Sequence, residues 1–330
     1  MKLLKLIPDD TNIKFLRWRL PFYAVSLLLM AASLALVFTQ GLNFGVDFVG
    51  GQSVRATFVQ DSEVPLAEVR EEIDALGYGE PILQQGSAPN ELSIRMKLPK
   101  DEGGLGLADK MTREIVSTIQ ENHEGVRIDG VDSVSGQVSG ELAEKGALAL
   151  ALAMLGISIY IWIRFEWQFG VGALFALVHD VTLTLGLFSL TQMEFDLNIV
   201  AALLTLIGYS LNDNIVIYDR IRENLKKFRK MPMPELLDLS VNETLSRTVV
   251  TSGALLITLV SLLVLGPDVI FGFTAAITMG IFVGTYSSIF MSTPILIWLG
   301  VTSDSFVPVE TAVDRQERRA RGEEPDGAQV

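Results

Sequence analysis

Six separate apolar runs, each long enough to cross about 30 Å of hydrocarbon, limit what this chain can fold into more than any other feature. They lie at about 20–38, 142–163, 168–190, 197–218, 248–266 and 270–299. Such segments read as spanning helices, because a helix satisfies its own backbone hydrogen bonds where water is absent. The composition agrees: 49% of the 330 residues are hydrophobic and the mean hydropathy is +0.38. The first run follows Lys2, Lys5, Lys14, Arg17 and Arg19, as a signal peptide would. It nevertheless continues unbroken from Phe22 to Phe38, and Thr39-Gln40-Gly41 is a poor cleavage site, so a retained helix is expected.

Basic residues orient the spans. They occur at the N-terminus, at Arg164 between spans two and three, at Arg220, Arg222, Lys226, Lys227, Arg229 and Lys230 after span four, and at Arg315, Arg318, Arg319 and Arg321 after span six. With six spans all four groups fall on one side, which places a 1–19 terminus, a 219–247 loop and a 300–330 tail in the cytoplasm. The tail, charged and poor in apolar residues, has the composition of a disordered segment. The connections at 191–198 and 266–271 carry no Lys or Arg, as expected on the far side.

The segment at 42–140 then lies across the membrane, as a periplasmic domain between spans one and two. Ser53 to Val59 alternates like a strand, and a helix from Pro65 places Leu66, Val69, Ile73 and Leu76 on one stripe before Gly77. Strands are expected at Pro81–Gln85 and Leu92–Leu98, a helix carrying Met111, Ile115 and Ile119, and a last strand at Val126–Val134. The order βαββαβ is that of an α+β ferredoxin-like domain. Glu68, Glu71, Glu72 and Asp74 give its first helix an acidic face, most simply a solvated one, with a surface for basic or unfolded polypeptide as the functional alternative.

Several chemistries are excluded or disfavoured. The chain has no cysteine, and its two histidines, His123 and His179, are far apart in sequence, so no metal or cofactor site is expected. The net charge of −13 speaks against nucleic acid.

The candidate functional residues are the ionisable groups inside the apolar runs, since a central Asp costs about 2.5–3.5 kcal/mol on insertion scales. Asp213 lies five residues before Tyr218, roughly 8 Å inside the end of span four at 1.5 Å per residue. Asn212 and Asn214 are expected to supply amide partners, with Tyr209 and Ile217 on its face of the helix. The alternatives are proton handling and a structural polar clamp. Arg247, at the start of span five, either reaches toward Asp213 or snorkels to the surface. His179 and Asp180 sit near the middle of span three; His179 reads as a packing residue, with proton relay as the alternative, and Asp180 needs a partner or a proton. Asp219 and Arg220 close span four as an end-of-helix charge pair. Gly272, Ala276, Gly280, Gly284 and Ser288 form a small-residue stripe on span six, against either a neighbouring helix or a partner subunit.

Three segments resemble a known family. They are Phe44-Gly-Val-Asp-Phe-Val-Gly-Gly51, the pair His179-Asp180, and Gly208-Tyr-Ser-Leu-Asn-Asp-Asn-Ile-Val-Ile-Tyr-Asp-Arg-Ile-Arg-Glu-Asn224. Together with Leu245-Ser-Arg-Thr248 and Thr251-Ser252-Gly253 they are similar to the SecF family of bacterial protein-export membrane proteins, across nearly the whole chain. Ser135-Gly136-Gln137 departs from that family's Gly-Pro before span two. The resemblance implies half of a resistance-nodulation-division-type bundle in the bacterial inner membrane. It also implies pairing with SecD, work with the SecYEG channel on unfolded preprotein, and use of the proton-motive force. The family implicates the residues matching Asp213 and Arg247 in proton conduction. A small-molecule or lipid exporter would carry two such halves and bulkier outer domains. An intramembrane aspartyl protease needs two carboxylates at matching depth, and a purely structural assembly factor needs none.

Overall fold

The computed structural model describes residue 8 and residues 11–60, 63–86, 88–96, 104–134, 136–267 and 270–302. Much of the expected N-terminal segment, the basic cluster after span six and all but the first residues of the expected tail lie outside them, as does Ser135 at the family departure.

Six helices among the described residues are long and apolar enough to cross a membrane. The chain opens with a 3₁₀ turn at Phe15–Trp18 that runs into α1 (Arg19–Thr39). A two-residue strand β1 (Asn43–Phe44) and a single helical turn α2 (Val46–Val49) lead into the α+β domain. The domain comprises β2 (Gly51–Phe58), α3 (Leu66–Asp74), β3 (Ile82–Gln85), β4 (Glu91–Met96), α4 (Gly104–Asn122) and β5 (Val126–Val134). The remaining helices are α5 (Gly136–Arg164), α6 (Trp167–Thr191), α7 (Leu197–Lys227), α8 (Met233–Leu265) and α9 (Phe271–Ser287). A short strand β6 (Glu194–Phe195) precedes α7. The last span continues from α9 through a π-helical turn at Ser288–Ser292 into α10 (Thr293–Trp298).

The βαββαβ order folds into an antiparallel sheet, β3-β4-β2-β5, with a register shift between Arg55 and Ala56. Alternation gives the sheet two faces. Val54, Ala56, Phe58, Leu92, Ile94 and Met96 pack against Val69 and Ile73 of α3 and Met111, Ile115 and Ile119 of α4. Leu66, expected on that stripe, is exposed because α3 begins there and Val64 fills the core instead. The acidic face of α3 is solvated at Glu68, Glu71 and Asp74, whereas Glu72 is half-buried and pairs with His123 Nε2 at 3.1 Å.

In the bundle α6, α7 and α9 form the buried centre, and α1, α5 and α8 lie outside them. Span one packs closely on α6: a side chain at Gly186 would collide with Ser33. Tyr23 Oη also donates to the Met291 carbonyl at 2.5 Å. The small-residue stripe of span six lies against α7 of the same chain, where a Cβ at Gly280 would overlap Leu206 and one at Gly284 would meet Ser210.

One expectation needs correction. The 219–247 connection is not a loop: α7 runs on to Lys227, α8 starts at Met233, and a short turn joins them. Ile221, Asn224 and Leu225 face Leu236, Leu237, Ser240 and Val241, so the two extensions bury a shared stripe beyond the apolar runs. Tyr218 is therefore not a helix end, and Arg247 stands well inside α8.

Candidate functional site

Spans three to six share a polar seam to which each contributes short polar side chains, with Gly280 and Gly284 of span six bringing it close to α7. Asp180 is its most completely paired member. It is 1% exposed, its Oδ1 lies 2.9 Å from His179 Nδ1, and its Oδ2 accepts from Ser210 at 2.6 Å and Ser287 at 2.9 Å. The carboxylate thus ties α6 to α7 and α9. Adjacent helix positions cannot face one distant neighbour together, yet here they bond each other. His179 is fully buried beside the Tyr286 ring, and its Nε2 has no hydrogen-bond partner among the described residues.

Asp213 lies one turn along α7 from Ser210 and is 3% exposed. Its hydrogen bond comes from a residue that sequence reading did not single out as a partner: Ser252 Oγ of α8 donates to Oδ2 at 3.3 Å. Ser252 in turn accepts from Tyr209 Oη at 3.2 Å and Thr285 Oγ1 at 2.9 Å, so one hydroxyl joins α7, α8 and α9 at the carboxylate. Tyr209, expected on the face of Asp213, does reach this seam.

Neither expected amide partner bonds Asp213. Asn214 is buried but turns to the other side, donating to the Ser210 carbonyl at 3.0 Å and accepting from Ser292 Oγ at 2.5 Å. Ser292 ends the π-helical turn, and such turns often mark functional positions in helices. Asn212 is exposed on the outer face of α7, because 100° per residue carries it out of the seam. Arg247 is likewise exposed; it interacts electrostatically with Asp213, but no ion pair within 4 Å joins them.

Asp219 and Arg220 do not pair with each other. Asp219 meets Arg164 at 3.6 Å, while Arg220 holds Glu223 at 2.6 Å and Glu243 at 2.7 Å. Asn224 also donates to Glu243 at 2.7 Å, so Arg220 and its partners belong to the α7–α8 extension, whereas Asp219 ties α7 to the end of α5. No group of three metal-ligating side chains occurs among the described residues.

The far ends of α6 and α7 are held by residues near the glycine-rich segment after span one. β1 pairs with β6 in parallel, and Asp47 Oδ2 accepts from the Leu197 N–H at 2.9 Å, satisfying a free donor in the first turn of α7. Asp196 caps the same helix through Ile199 N–H at 3.1 Å. Burial raises both the Asp196 and Glu194 carboxyls above the ordinary range.

Comparison with known proteins places this arrangement. A family model described as protein export membrane protein SecD/SecF, C-terminal, matches residues 114–302, and a SecD/SecF GG motif model matches residues 35–61. The protein translocase subunit SecF of Cereibacter sphaeroides is 43% identical over 303 residues, covering 90% of this chain and 93% of that protein. That of Vibrio alginolyticus is 38% identical over 305 residues, covering 92% and 95%. A crystal structure of SecDF from Thermus superposes with a TM-score of 0.80 at 32% identity, over 89% of this chain. SecDF in a super-membrane-facing form gives 0.60 at 31% identity, over 95% of this chain. The chain spans 39% and 40% of those two SecDF chains.

Proposed function

Because the chain belongs to the SecD/SecF family of protein-export membrane proteins, we propose that it forms the SecF half of a complex with SecD and draws on the proton-motive force through Asp213. It is a multi-pass transport protein, not an enzyme. The observation that carries the proton reading is the contrast between two buried carboxylates. Asp180 is saturated by three side-chain donors on three helices and suits holding them together. Asp213 has one 3.3 Å bond from a hydroxyl that can rotate, so its proton can come and go without dismantling the bundle.

When Asp213 loses its proton, Arg247 is the cation within electrostatic reach, and its movement inward with α8 would neutralise the charge. One charge crossing 100 mV yields about 2.3 kcal/mol, comparable to the bias that a two-state rearrangement needs, so one or a few protons suffice for each stroke. The exposure of Asn212 on α7 and Arg247 on α8 supports the partner: polar groups facing lipid are costly, and a second protein half would cover them. The basic turn between α7 and α8 lies at the opposite end from the α+β domain. By the positive-inside rule this puts the turn in the cytoplasm and the domain in the periplasm, where preprotein emerges from the SecYEG channel.

The test is proton-driven completion of export in inner-membrane vesicles containing the partner subunit. Asp213→Asn keeps the shape and cannot ionise, and it is expected to abolish the proton-dependent part. Normal completion would leave the structural-assembly reading in its place.

A further inference from the structure

A further buried charge lies outside the bilayer seam. Arg95 lies on the helix-free face of the sheet, beside Ile94, which points into the domain core. It is 5% exposed, because this face sits on the outer ends of α6 and α7. Its Nη1 donates to the Phe44 carbonyl at 2.7 Å, and its Nη2 to Asn43 Oδ1 at 2.6 Å and Gln84 Oε1 at 2.8 Å; Glu194 Oε1 lies 3.8 Å away. Asn43 and Gln84 both donate onward to the Gln192 carbonyl, at 2.7 and 3.0 Å, where the α6–α7 connection turns through a left-handed residue.

One guanidinium thus joins the domain's β3 and β4 to the segment after span one and to the connection that leads into the Asp213 helix. A planar guanidinium whose two Nη groups donate in fixed directions suits this task, and a point-charge ammonium does not. The same connection is fixed a second time by the β1–β6 pairing, the Gly45 N–H to Phe195 carbonyl bond of 2.9 Å and the Asp47 cap on α7.

We propose that Arg95 is the positioning residue of a rigid joint, through which the outer end of α7 and the α+β domain move as one body. This rests on the proton-coupled reading for its purpose but not for its geometry. A displacement of α7 at Asp213 then swings the domain directly, with no flexible linker to absorb it.

The test uses the full chain reconstituted with a cysteine-free form of its partner subunit, and the absence of native cysteine from this chain leaves only the introduced thiols to label. Spin labels at Glu71→Cys on α3 and Leu190→Cys at the end of α6, both exposed positions, report the domain against the bundle. A single narrow distance distribution is expected, broadened by Arg95→Ala and less so by Asn43→Ala, which serves if the first variant does not accumulate. Proton-driven export should fall by about two- to thirty-fold in Arg95→Ala, the range for disrupted coupling elements. A thiol linker between Ser93→Cys and Thr191→Cys, which line one cleft between the sheet and the α6–α7 connection without bonding Arg95, should restore it and should be harmless with Arg95 present. Unchanged distributions in both variants would overturn the joint, as would a linker that stops export with Arg95 present. Failure of the proton reading shows separately, as normal export by Asp213→Asn whatever the distances do.

Discussion

The α+β domain and the helix bundle place polar side chains in opposite ways. In the domain the sheet and two helices close over Phe58, Ile94, Met111, Ile115 and Ile119, and most charges point outward. In the bundle the outward faces are Leu, Val and Ile, while Asp180, His179, Ser210, Asp213, Asn214, Ser252 and Ser287 are buried together. The domain is held by excluding water from apolar surface. That driving force is missing between helices in lipid, so the bundle depends on close packing at glycines and on polar contacts. A polar residue in the bundle core therefore demands a reason, and one on the domain surface does not.

The strongest way to break this contrast is to remove the node of the seam. Asp180→Ala strips partners from His179, Ser210 and Ser287 at once and should destabilise the bundle by roughly 3–5 kcal/mol, as when one member of a buried pair is lost. Thermal unfolding in detergent measures it, with hydrogen exchange showing the α+β domain unaffected. An unchanged midpoint would mean the seam is not what holds these helices. The counterpart in the domain is Ile115→Ala, with an expected loss of roughly 2–5 kcal/mol confined to residues of the sheet, α3 and α4. Exchange spreading equally into α7 and α9 would show that the two regions are not stabilised separately.

The sequence carried the architecture well, because the patterns that define it are strong: apolar runs of spanning length, and strand alternation set between helices that stop at Gly77 and Gly125. It also located Asp213 and Asp180, since a carboxylate within such a run stands out against its surroundings. It failed where a signal depends on which way a residue turns. Asn212 and Asn214 are two positions apart and face different environments, and the rotation of α8 that leaves Arg247 outside is set by packing. The helical extensions at 219–247 escaped because run length detects membrane crossing and not helix. Ile217, Ile221 and Leu225, with Leu237, Val241 and Leu245, repeat every four residues and would have revealed them. Ser252 and Arg95 look ordinary in sequence, one a small residue in a span and the other the polar half of an alternating strand.

A smaller perturbation sharpens the claim that glycine makes the seam possible. A Cβ at position 284 would sit 3.2 Å from Ser210 Cβ and 3.4 Å from Asp180 Oδ2, tight against two members of the node. Gly284→Ala should therefore cost about 1–3 kcal/mol of bundle stability, the range for overpacking. At Gly253, where an added Cβ would meet nothing within 4 Å, the same change should be nearly silent. Equal effects at the two sites, in the same unfolding assay, would remove close approach as the explanation.

The smallest effect belongs to a polar contact on the domain surface. Tyr78 Oη donates to Glu114 Oε2 at 2.6 Å, and this bond, helped by Lys110 at 3.6 Å, holds the Glu114 carboxyl below its ordinary range. A carboxylate whose folded pKa is depressed adds stability above its unfolded pKa and loses it as pH falls through the folded value. Tyr78→Phe should move Glu114 up toward the ordinary range and flatten the domain's acid limb, read by NMR titration of the Glu114 side chain and by unfolding near that pH. Because the pair is solvated and screened, the shift should be visible while stability at neutral pH barely changes. A large neutral-pH loss would mean that surface polar contacts support the domain as buried ones support the bundle, and the contrast between the two regions would fail.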